Sequence, residues 1–181
     1  MRKNLPVTSL ERFVEKSRPV VTTTDLKGRI TYANPAFIEV SGFSRDELIG
    51  QPHNIVRHPD MPPEAFADLW QTIKRGQPWR AMVKNRCKDG GFYWVEAYVT
   101  PLHENGRHVG YMSVRNAPDR AEVASAQALH ADVSAGKAKF PATPRPRWWH
   151  APTPWGAGVA VLSLGTASGA WLLPHWGWML G

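Results

Sequence analysis

The sequence predicts an α+β fold: one five-stranded antiparallel sheet with helices on one face, followed by a helix, a Pro-rich linker and a C-terminal transmembrane helix. Three observations lead to this prediction. Residues 19–116 show the element order β-β-α-α-α-β-β-β, with turn signals between successive strands. Residues 117–139 are rich in Ala at helical spacing. Residues 155–173 form a long stretch without a charged side chain.

The first two strands and the first helix are marked by turn and capping residues. Segments 20–24 and 29–32 are rich in β-prone residues, and the sequence DLKG between them supplies the Asp and Gly of a tight turn. Asn34 precedes Pro35, which is the usual pairing of a helix N-cap with Pro in the first turn. Gly42 then predicts the end of this short helix.

Two further helices are predicted before the sheet resumes. Ser44 and Glu47 have the spacing of a capping box, in which each side chain bonds the backbone of the other residue. Segment 62–75 places apolar side chains on one helical face and ends at Gly76. These helices are expected to cover one face of the sheet.

Three strand-like segments complete the predicted sheet. They are residues 79–86, 92–101 and 108–115, and the sequences KDGG and ENGR separate them. Both separators place Gly after a polar residue, which is a strong hairpin signal. Successive hairpins give antiparallel neighbours, and Asn85 is expected on a central strand of the finished sheet.

Composition and pattern divide the chain into six regions: an N-terminal cap expected to be mobile (1–18), a central α/β domain (19–116), a connecting helix (117–139), a basic Pro-rich linker (140–154), a transmembrane helix (155–173) and a short tail (174–181). Asp119 is the predicted N-cap of the connecting helix, and Gly136 is its predicted end. The linker contains five Pro residues and is expected to be extended.

The stretch 155–173 has the length of a membrane span. Its 19 residues would form a helix of roughly 28 Å, close to the hydrocarbon thickness of a bilayer. Trp residues flank both ends, as they do at membrane interfaces. Lys and Arg residues precede this stretch and none follows it, so the positive-inside rule predicts an inner-membrane protein whose central domain faces the cytoplasm.

The net charge of +7 and the single Cys limit the classes of function. The basic excess adjoins the predicted span, where attraction to anionic lipid explains it more simply than nucleic-acid binding does. One Cys, Cys87, excludes a disulfide framework and a Cys-based zinc site. The sequence shows no nucleophile–base set or phosphate loop that would indicate an enzyme, and no apolar signal-peptide segment at its start.

The central domain resembles a known family of sensory domains. The segments TTDLKGRITYANPAFIEVSGFSRDELIGQ, KNRCKDGGFYWVEAYVTPL and GYMSVR are similar to those of PAS domains, over about residues 20–116. The segment GQPHNIVRHPDMPPEAFADLWQTIKRGQPW resembles more specifically the FAD-binding sensing domain of aerotaxis receptors. The resemblance does not extend to the HAMP and methyl-accepting signalling regions of that receptor family.

The loop 50–62 is rich in His, Arg, Asp and Pro, and the resemblance implies that it supports FAD. Arg57, His58 and Asp60 match positions with that role in the aerotaxis family. Arg57 and His58 can donate to phosphates, whereas Asp60 can accept from ribose hydroxyls or hold Arg57 in place. The alternative is that Arg57 and Asp60 merely pair and that His58 caps the following helix.

Three further side chains are candidates for contact with the flavin ring. The resemblance places Trp79 at the ring, where an indole face suits offset stacking, whereas Trp70 and Trp94 are expected in the core. Asn34 and Asn85 are amides that can both donate and accept at the ring edge. Asn34 is equally expected to serve only as a helix cap.

These features imply a membrane-anchored PAS sensor, not an enzyme, that binds FAD non-covalently and reports redox or oxygen status in aerotaxis-type signal transduction. A cofactor-free PAS module for interaction or dimerisation is the alternative. Expected partners are a second copy of the chain, a chemoreceptor or other membrane signalling protein, and anionic lipid at the linker, but not nucleic acid. A Cys–flavin photoadduct is not expected, because segment 53–75 contains no Cys. His53 and His58 are candidate haem ligands, but the predicted helix 62–75 contains no His, which argues against a haem site. A redox signal is expected to leave through residues 116–139.

Overall fold

The computed structural model describes residues 4–144. This part of the chain contains five strands, four α-helices and one 3₁₀ turn. In chain order they are β1 (Val20–Asp25), β2 (Ile30–Ala33), α1 (Pro35–Ser41), α2 (Arg45–Leu48), the 3₁₀ turn (His53–Val56), α3 (Pro63–Lys74), β3 (Trp79–Arg86), β4 (Phe92–Glu104), β5 (Arg107–Asn116) and α4 (Arg120–Ser134). The predicted order of strands and helices is confirmed, and the 3₁₀ turn is an addition.

The five strands form one antiparallel sheet in the order β2-β1-β5-β4-β3. The first and last strands of the sequence, β1 and β5, therefore pair with each other inside the sheet. β2 extends the sheet beyond β1, and β4 and β3 extend it beyond β5. Because β3 is an edge strand, the expectation that Asn85 lies on a central strand is wrong. The β4–β5 hairpin is longer than predicted, because Asn105 and Gly106 adopt φ angles of 49° and 77° that allow pairing up to the turn.

Capping interactions determine where the helices begin and end. The Asn34 side chain accepts a backbone N–H in the first turn of α1, and Gly42 ends that helix with a φ of 72°. Ser44 and Glu47 form both hydrogen bonds of the capping box at α2. Asp119 accepts a backbone N–H at the start of α4. A cap of this kind contributes about 1 kcal/mol, which matters for helices too short to be stable alone.

Helices α1, α2 and α3 pack on one face of the sheet, and α4 lies on the other. Tyr93 and Val95 of β4 are buried in the core with Ile73 of α3. Successive residues of a strand point to opposite faces, so Trp94 points away from this core. Its ring stacks on His130 of α4, with 5.8 Å between the ring centroids.

The N-terminal segment (4–18), predicted to be a mobile cap, follows a defined path along the domain. The backbone N–H of Arg12 donates to the carbonyl of Phe92, at the start of β4. The side-chain amide of Asn4 donates to the carbonyl of Arg57 at 2.9 Å. The segment therefore connects the sheet with the loop before α3.

No helix within residues 4–144 is long and apolar enough to cross a membrane. The predicted transmembrane helix (155–173), the tail (174–181) and most of the predicted linker (140–154) lie outside the described residues. Membrane anchoring and the predicted region boundaries in this part of the chain remain predictions.

Candidate functional site

A cavity of about 200 Å³ lies between the sheet and the elements that cover its inner face. Its apolar lining comes from the loop before α3, from α3 itself and from β4 and β5: Val56, Phe66, Leu69, Trp70, Ile73, Val99 and Tyr111. Lys27 and Asn54 are the exposed members of the lining, so they mark the side that faces solvent. An apolar hollow with few polar groups is typical of small-molecule sites.

Arg115 of β5 brings a buried positive charge to this cavity. The residue is 5% exposed, and its guanidinium donates to Thr22 Oγ1 at 3.1 Å and to His53 Nε2 at 2.7 Å. No Asp or Glu within residues 4–144 forms an ion pair with it. Burial lowers the pKa of Arg115 to about 10, so it is still charged at neutral pH. The cavity wall thus holds a cation without a neutralising carboxylate.

His53, from the 3₁₀ turn, is the acceptor for Arg115. Burial and, secondarily, the charge of Arg115 lower the pKa of His53 to about 3, so the imidazole is neutral and Nε2 accepts. Its ring stacks on Phe37 of α1, with 5.8 Å between the centroids. Because Nε2 is engaged by Arg115, this atom would have to leave that hydrogen bond to ligate a haem iron.

Arg57 brings a second buried guanidinium, from the loop before α3. The residue is 8% exposed, its Nη2 donates to the carbonyl of Met61 at 2.8 Å, and its guanidinium lies 4.8 Å from the ring centroid of Phe66. The backbone of Arg57 pairs with that of Asn85, which joins the loop to the edge strand β3. Burial lowers the pKa of Arg57, and its Nε has no hydrogen-bond partner.

Three residues of the lining have a buried polar atom without a hydrogen-bond partner: Arg57 Nε, Asn85 Nδ2 and Ser113 Oγ. An unpaired buried group of this kind costs about 1–3 kcal/mol, and protein interiors contain few of them. Both nitrogen atoms are donors, and the hydroxyl can donate or accept. A ligand with acceptor atoms at its buried edge would satisfy all three.

His58 and Asp60 follow Arg57 in sequence but do not line the cavity. His58 is 2% exposed, and burial and, secondarily, Lys84 lower its pKa to about 4. The Asp60 backbone N–H donates to His58 Nδ1 at 3.2 Å, and the Asp60 carboxylate pairs with Lys84 of β3 at 2.7 Å. The Asp60–Lys84 ion pair therefore connects the loop to the edge strand β3. The role of His58 and Asp60 in holding FAD remains a prediction.

Trp79 and Asn34 also lie outside the cavity lining. Trp79 is 2% exposed in the core, and its indole N–H donates to Asp68 Oδ2 at 2.8 Å. Asn34 caps α1 and in addition accepts the backbone N–H of Val21 at 3.0 Å, so its carbonyl oxygen is fully used. Trp70, which was expected only in the core, lines the cavity. Of the six candidate residues, the structure brings Arg57 and Asn85 together at the cavity.

Residues 30–115 match the sequence profile of the PAS fold family. This part of the chain is a PAS domain. The aerotaxis receptor of Escherichia coli (strain K12) is 49% identical over 118 residues, which cover 65% of this chain and 23% of the receptor. The nitrogen fixation regulatory protein of Klebsiella pneumoniae is 35% identical over 104 residues, which cover 57% of this chain and 21% of that protein. The chain therefore spans less than a quarter of these relatives.

Solved structures share the PAS fold. A PAS domain from Colwellia psychrerythraea is 25% identical with a TM-score of 0.50, covering 55% of this chain and 86% of that one. The dark structure of the blue-light photoreceptor Aureochrome1 LOV is 22% identical with a TM-score of 0.53, covering 64% of this chain and 85% of that one. These likenesses concern the fold alone.

The PAS cavity includes polar residues that the sequence did not single out, namely Thr22, Ser113 and Arg115. On β5, Tyr111, Ser113 and Arg115 alternate along the strand and all line the cavity. A charged residue at an inward position is unusual, because charged side chains are rarely buried without a partner. That signal was present in the sequence, but it becomes visible only when the inward face of the strand is known.

Proposed function

We propose that the PAS cavity binds the flavin ring of FAD non-covalently and that the chain is a redox sensor in aerotaxis-type signal transduction. The observation that carries the proposal is the set of unpaired polar atoms on Arg57, Asn85 and Ser113 around an apolar cavity. A flavin ring has flat apolar faces, and its carbonyl oxygens and ring nitrogens accept hydrogen bonds. The residues present therefore fit this group, and the resemblance to aerotaxis sensing domains supports FAD in particular.

The proposal gives each polar side chain a role. Arg57 and Asn85 donate to the ring from the loop side of the cavity, and Ser113 and Arg115 face it from β5. The apolar lining, including Trp70, excludes water from the ring faces. When bound, FAD would supply reversible uptake of electrons. The two buried guanidinium groups would favour electron density on the ring edge that they face.

The cavity is large enough to enclose only part of FAD. A volume of about 200 Å³ is smaller than the roughly 300–1,000 Å³ of sites that enclose a whole drug-sized ligand. We therefore place the ring inside and the phosphates towards the exposed side, where Lys27 lines the opening. Lys27 forms no ion pair within the described part of the chain, so it is available to an anion. This arrangement assigns Arg57 to the ring and not to the phosphates.

Cys87 supports non-covalent binding. Its Sγ donates to the carbonyl of Val40 at 3.2 Å, and the residue lies in the core and not in the cavity lining. Burial raises the pKa of the Cys87 thiol to about 11, which keeps it protonated and unreactive at neutral pH. The thiol is thus poorly placed to attack a ring in the cavity.

Anchoring to the inner membrane through residues 155–173, with anionic lipid at the basic linker, is part of the same proposal. It rests on the charge-free length of that stretch and on the Lys and Arg residues that precede it. In this arrangement the PAS domain reports from the cytoplasm, and we propose no enzymatic activity and no nucleic-acid partner for it.

A cofactor-free interaction module is the second candidate function, and one observation favours it. The N-terminal segment exposes four large apolar side chains, since Leu5, Val7, Leu10 and Phe13 are 69%, 42%, 58% and 72% exposed. Exposed apolar groups concentrated in one segment suit contact with another protein. A second copy of the chain or a membrane chemoreceptor is the partner proposed for this surface.

Replacement of cavity residues tests the proposed function. Purified wild-type chain should show flavin absorbance, and both Arg57→Ala and Asn85→Ala should lower the FAD content per chain. Arg29→Ala is the matched control, because Arg29 is exposed and its guanidinium donates only to the carbonyl of Gly50. Circular dichroism should show that the variants are folded. Full FAD content in both folded cavity variants would contradict the assignment of the cavity.

A further inference from the structure

The chain beyond α4 returns to the helix that lines the cavity. We call residues 135–143 the strap. Phe140 of the strap stacks on His130 of α4, with 6.2 Å between the ring centroids, and packs against the core beside α3. At the end of the strap, Thr143 contacts Asp68 of α3 through both its backbone and its side chain. The strap therefore connects α4 to α3 and includes the first residues of the predicted linker (140–154).

Asp68 holds the strap through two hydrogen bonds from Thr143. Thr143 donates its backbone N–H to Asp68 Oδ1 at 2.9 Å and its hydroxyl to Oδ2 at 2.7 Å. The indole N–H of Trp79 donates to the same Oδ2 at 2.8 Å. No Lys or Arg among residues 4–144 forms an ion pair with this carboxylate. Asp68 thus accepts from three neutral donors, two of which belong to the strap.

The position of Asp68 on α3 links it to the cavity. Phe66 and Leu69, its near neighbours along the helix, both line the cavity. Phe66 also lies against the guanidinium of Arg57, one of the residues with an unpaired donor. A ligand that engages Arg57 or displaces Phe66 therefore acts on the helical turn that carries Asp68. Hydrogen bonds weaken steeply with distance and angle, so a shift of this turn by about 1 Å would disrupt the contacts with Thr143.

We propose that Asp68 is a latch, meaning that its hydrogen bonds with Thr143 hold the strap on α3, the cavity helix. We propose further that the redox state of the bound ligand changes the strength of these hydrogen bonds. The latch would then pass a change in the cavity to the linker through α3 and the strap. This route is more direct than the expected one through the sheet and residues 116–139. The proposal rests on the proposed function for the identity of the ligand, whereas the latch itself is a property of the chain.

Hydrogen exchange on the full-length chain, measured by mass spectrometry, tests the latch. Thr143→Val removes the hydroxyl donor, and Asp68→Asn removes the negative charge. Each should speed exchange in the strap by about tenfold or more, the factor that corresponds to about 1.4 kcal/mol. Exchange in β5 should be unchanged. Thr23→Val is the matched control, because the Thr23 hydroxyl bonds Thr31 on the exposed side of the sheet, and strap exchange should be unaltered there.

Trypsin supplies an independent measure, because Lys137 and Lys139 lie within the strap. Both variants should be cleaved there faster than the wild type and than Thr23→Val. The latch would be overturned if strap exchange and tryptic cleavage equalled the wild-type values in both Thr143→Val and Asp68→Asn. This outcome does not depend on whether the chain binds a flavin.

A second comparison tests the link to the ligand. Oxidised and dithionite-reduced wild-type chain should differ in strap exchange by at least about threefold, whereas Thr143→Val should show no such difference with its flavin content unchanged. Equal strap exchange in the two redox states of a flavin-loaded wild type would overturn the redox control. A chain that takes up no flavin would instead overturn the proposed function and, with it, this redox control. The latch itself would still be tested by strap exchange in Thr143→Val and Asp68→Asn.

Discussion

Replacing Ser113 with Ala should stabilise the flavin-free chain and weaken flavin binding at the same time. The residue is 7% exposed, and its hydroxyl lines the cavity without a hydrogen-bond partner. An unpaired buried hydroxyl costs about 1–3 kcal/mol, and the substitution removes this cost together with one heavy atom. Allowing for lost packing, the free energy of unfolding should rise by about 1 kcal/mol. For a domain of this size, the Tm should then increase by about 4 °C.

The same substitution removes a polar atom that we assign to the flavin ring. A hydrogen bond between neutral groups is worth about 0.5–1.5 kcal/mol net, so the Kd for FAD should rise by roughly 2- to 13-fold. A gain in stability combined with a loss of affinity is expected only where a polar group is kept for a ligand. At a purely structural position, stability and affinity would not move in opposite directions in this way.

Thermal unfolding of flavin-free chain and fluorescence titration with FAD measure the two quantities. Ser41→Ala is the matched control, because Ser41 is also buried but donates to the carbonyl of Ile38 within α1. Ser41→Ala should lower the Tm or leave it unchanged, and it should not alter the Kd. The reasoning is refuted if Ser113→Ala lowers the Tm of the flavin-free chain and leaves its Kd for FAD at the wild-type value.

Three further predictions follow from burial, backbone geometry and the C-terminal sequence. The free energy of unfolding should fall as pH is lowered from about 6.5 towards 3, because His53 titrates near pH 6.5 when unfolded but has a pKa of about 3 when folded. His53→Gln should reduce that slope by up to about 1.4 kcal/mol per pH unit in denaturant titrations, and an unchanged slope would contradict the assignment. Gly28→Ala should lower the Tm more than Gly106→Ala: both have positive φ (76° and 77°), but only at Gly28 would a Cβ come within 3.0 Å of Trp70. The full chain should fractionate with the inner membrane and a chain lacking residues 155–181 should not; full-length chain in a detergent-free soluble fraction would contradict the predicted span.

The elements with local signals could be predicted from the sequence. Asn34, Ser44 and Asp119 each begin a helix as predicted, because a cap depends on residues within one turn of it. The Asn105–Gly106 turn was recognised because these residue types tolerate the positive φ that a tight hairpin needs. The end of β4 was placed too early, since the pattern alone does not show how far pairing continues towards such a turn.

The cavity was harder to predict, because its lining is set by contacts between distant parts of the chain. Arg115 meets His53 and Thr22 only after β1 and β5 have paired, and no local pattern shows that pairing. The loop before α3 has no regular period, so nothing in the sequence showed that Arg57 points into the cavity while Asp60 turns to Lys84. Residue type therefore indicated a binding loop, and the direction of each side chain came from the fold.

The identity and amount of chromophore in purified full-length chain test the central claim most directly. Absorbance of the native protein, followed by chromatography of the released ligand, should give close to one FAD per chain and no covalently retained flavin. The ligand should be released by denaturation alone. A colourless chain that also fails to take up added FAD, although it is folded, would contradict the assignment of the cavity to a flavin.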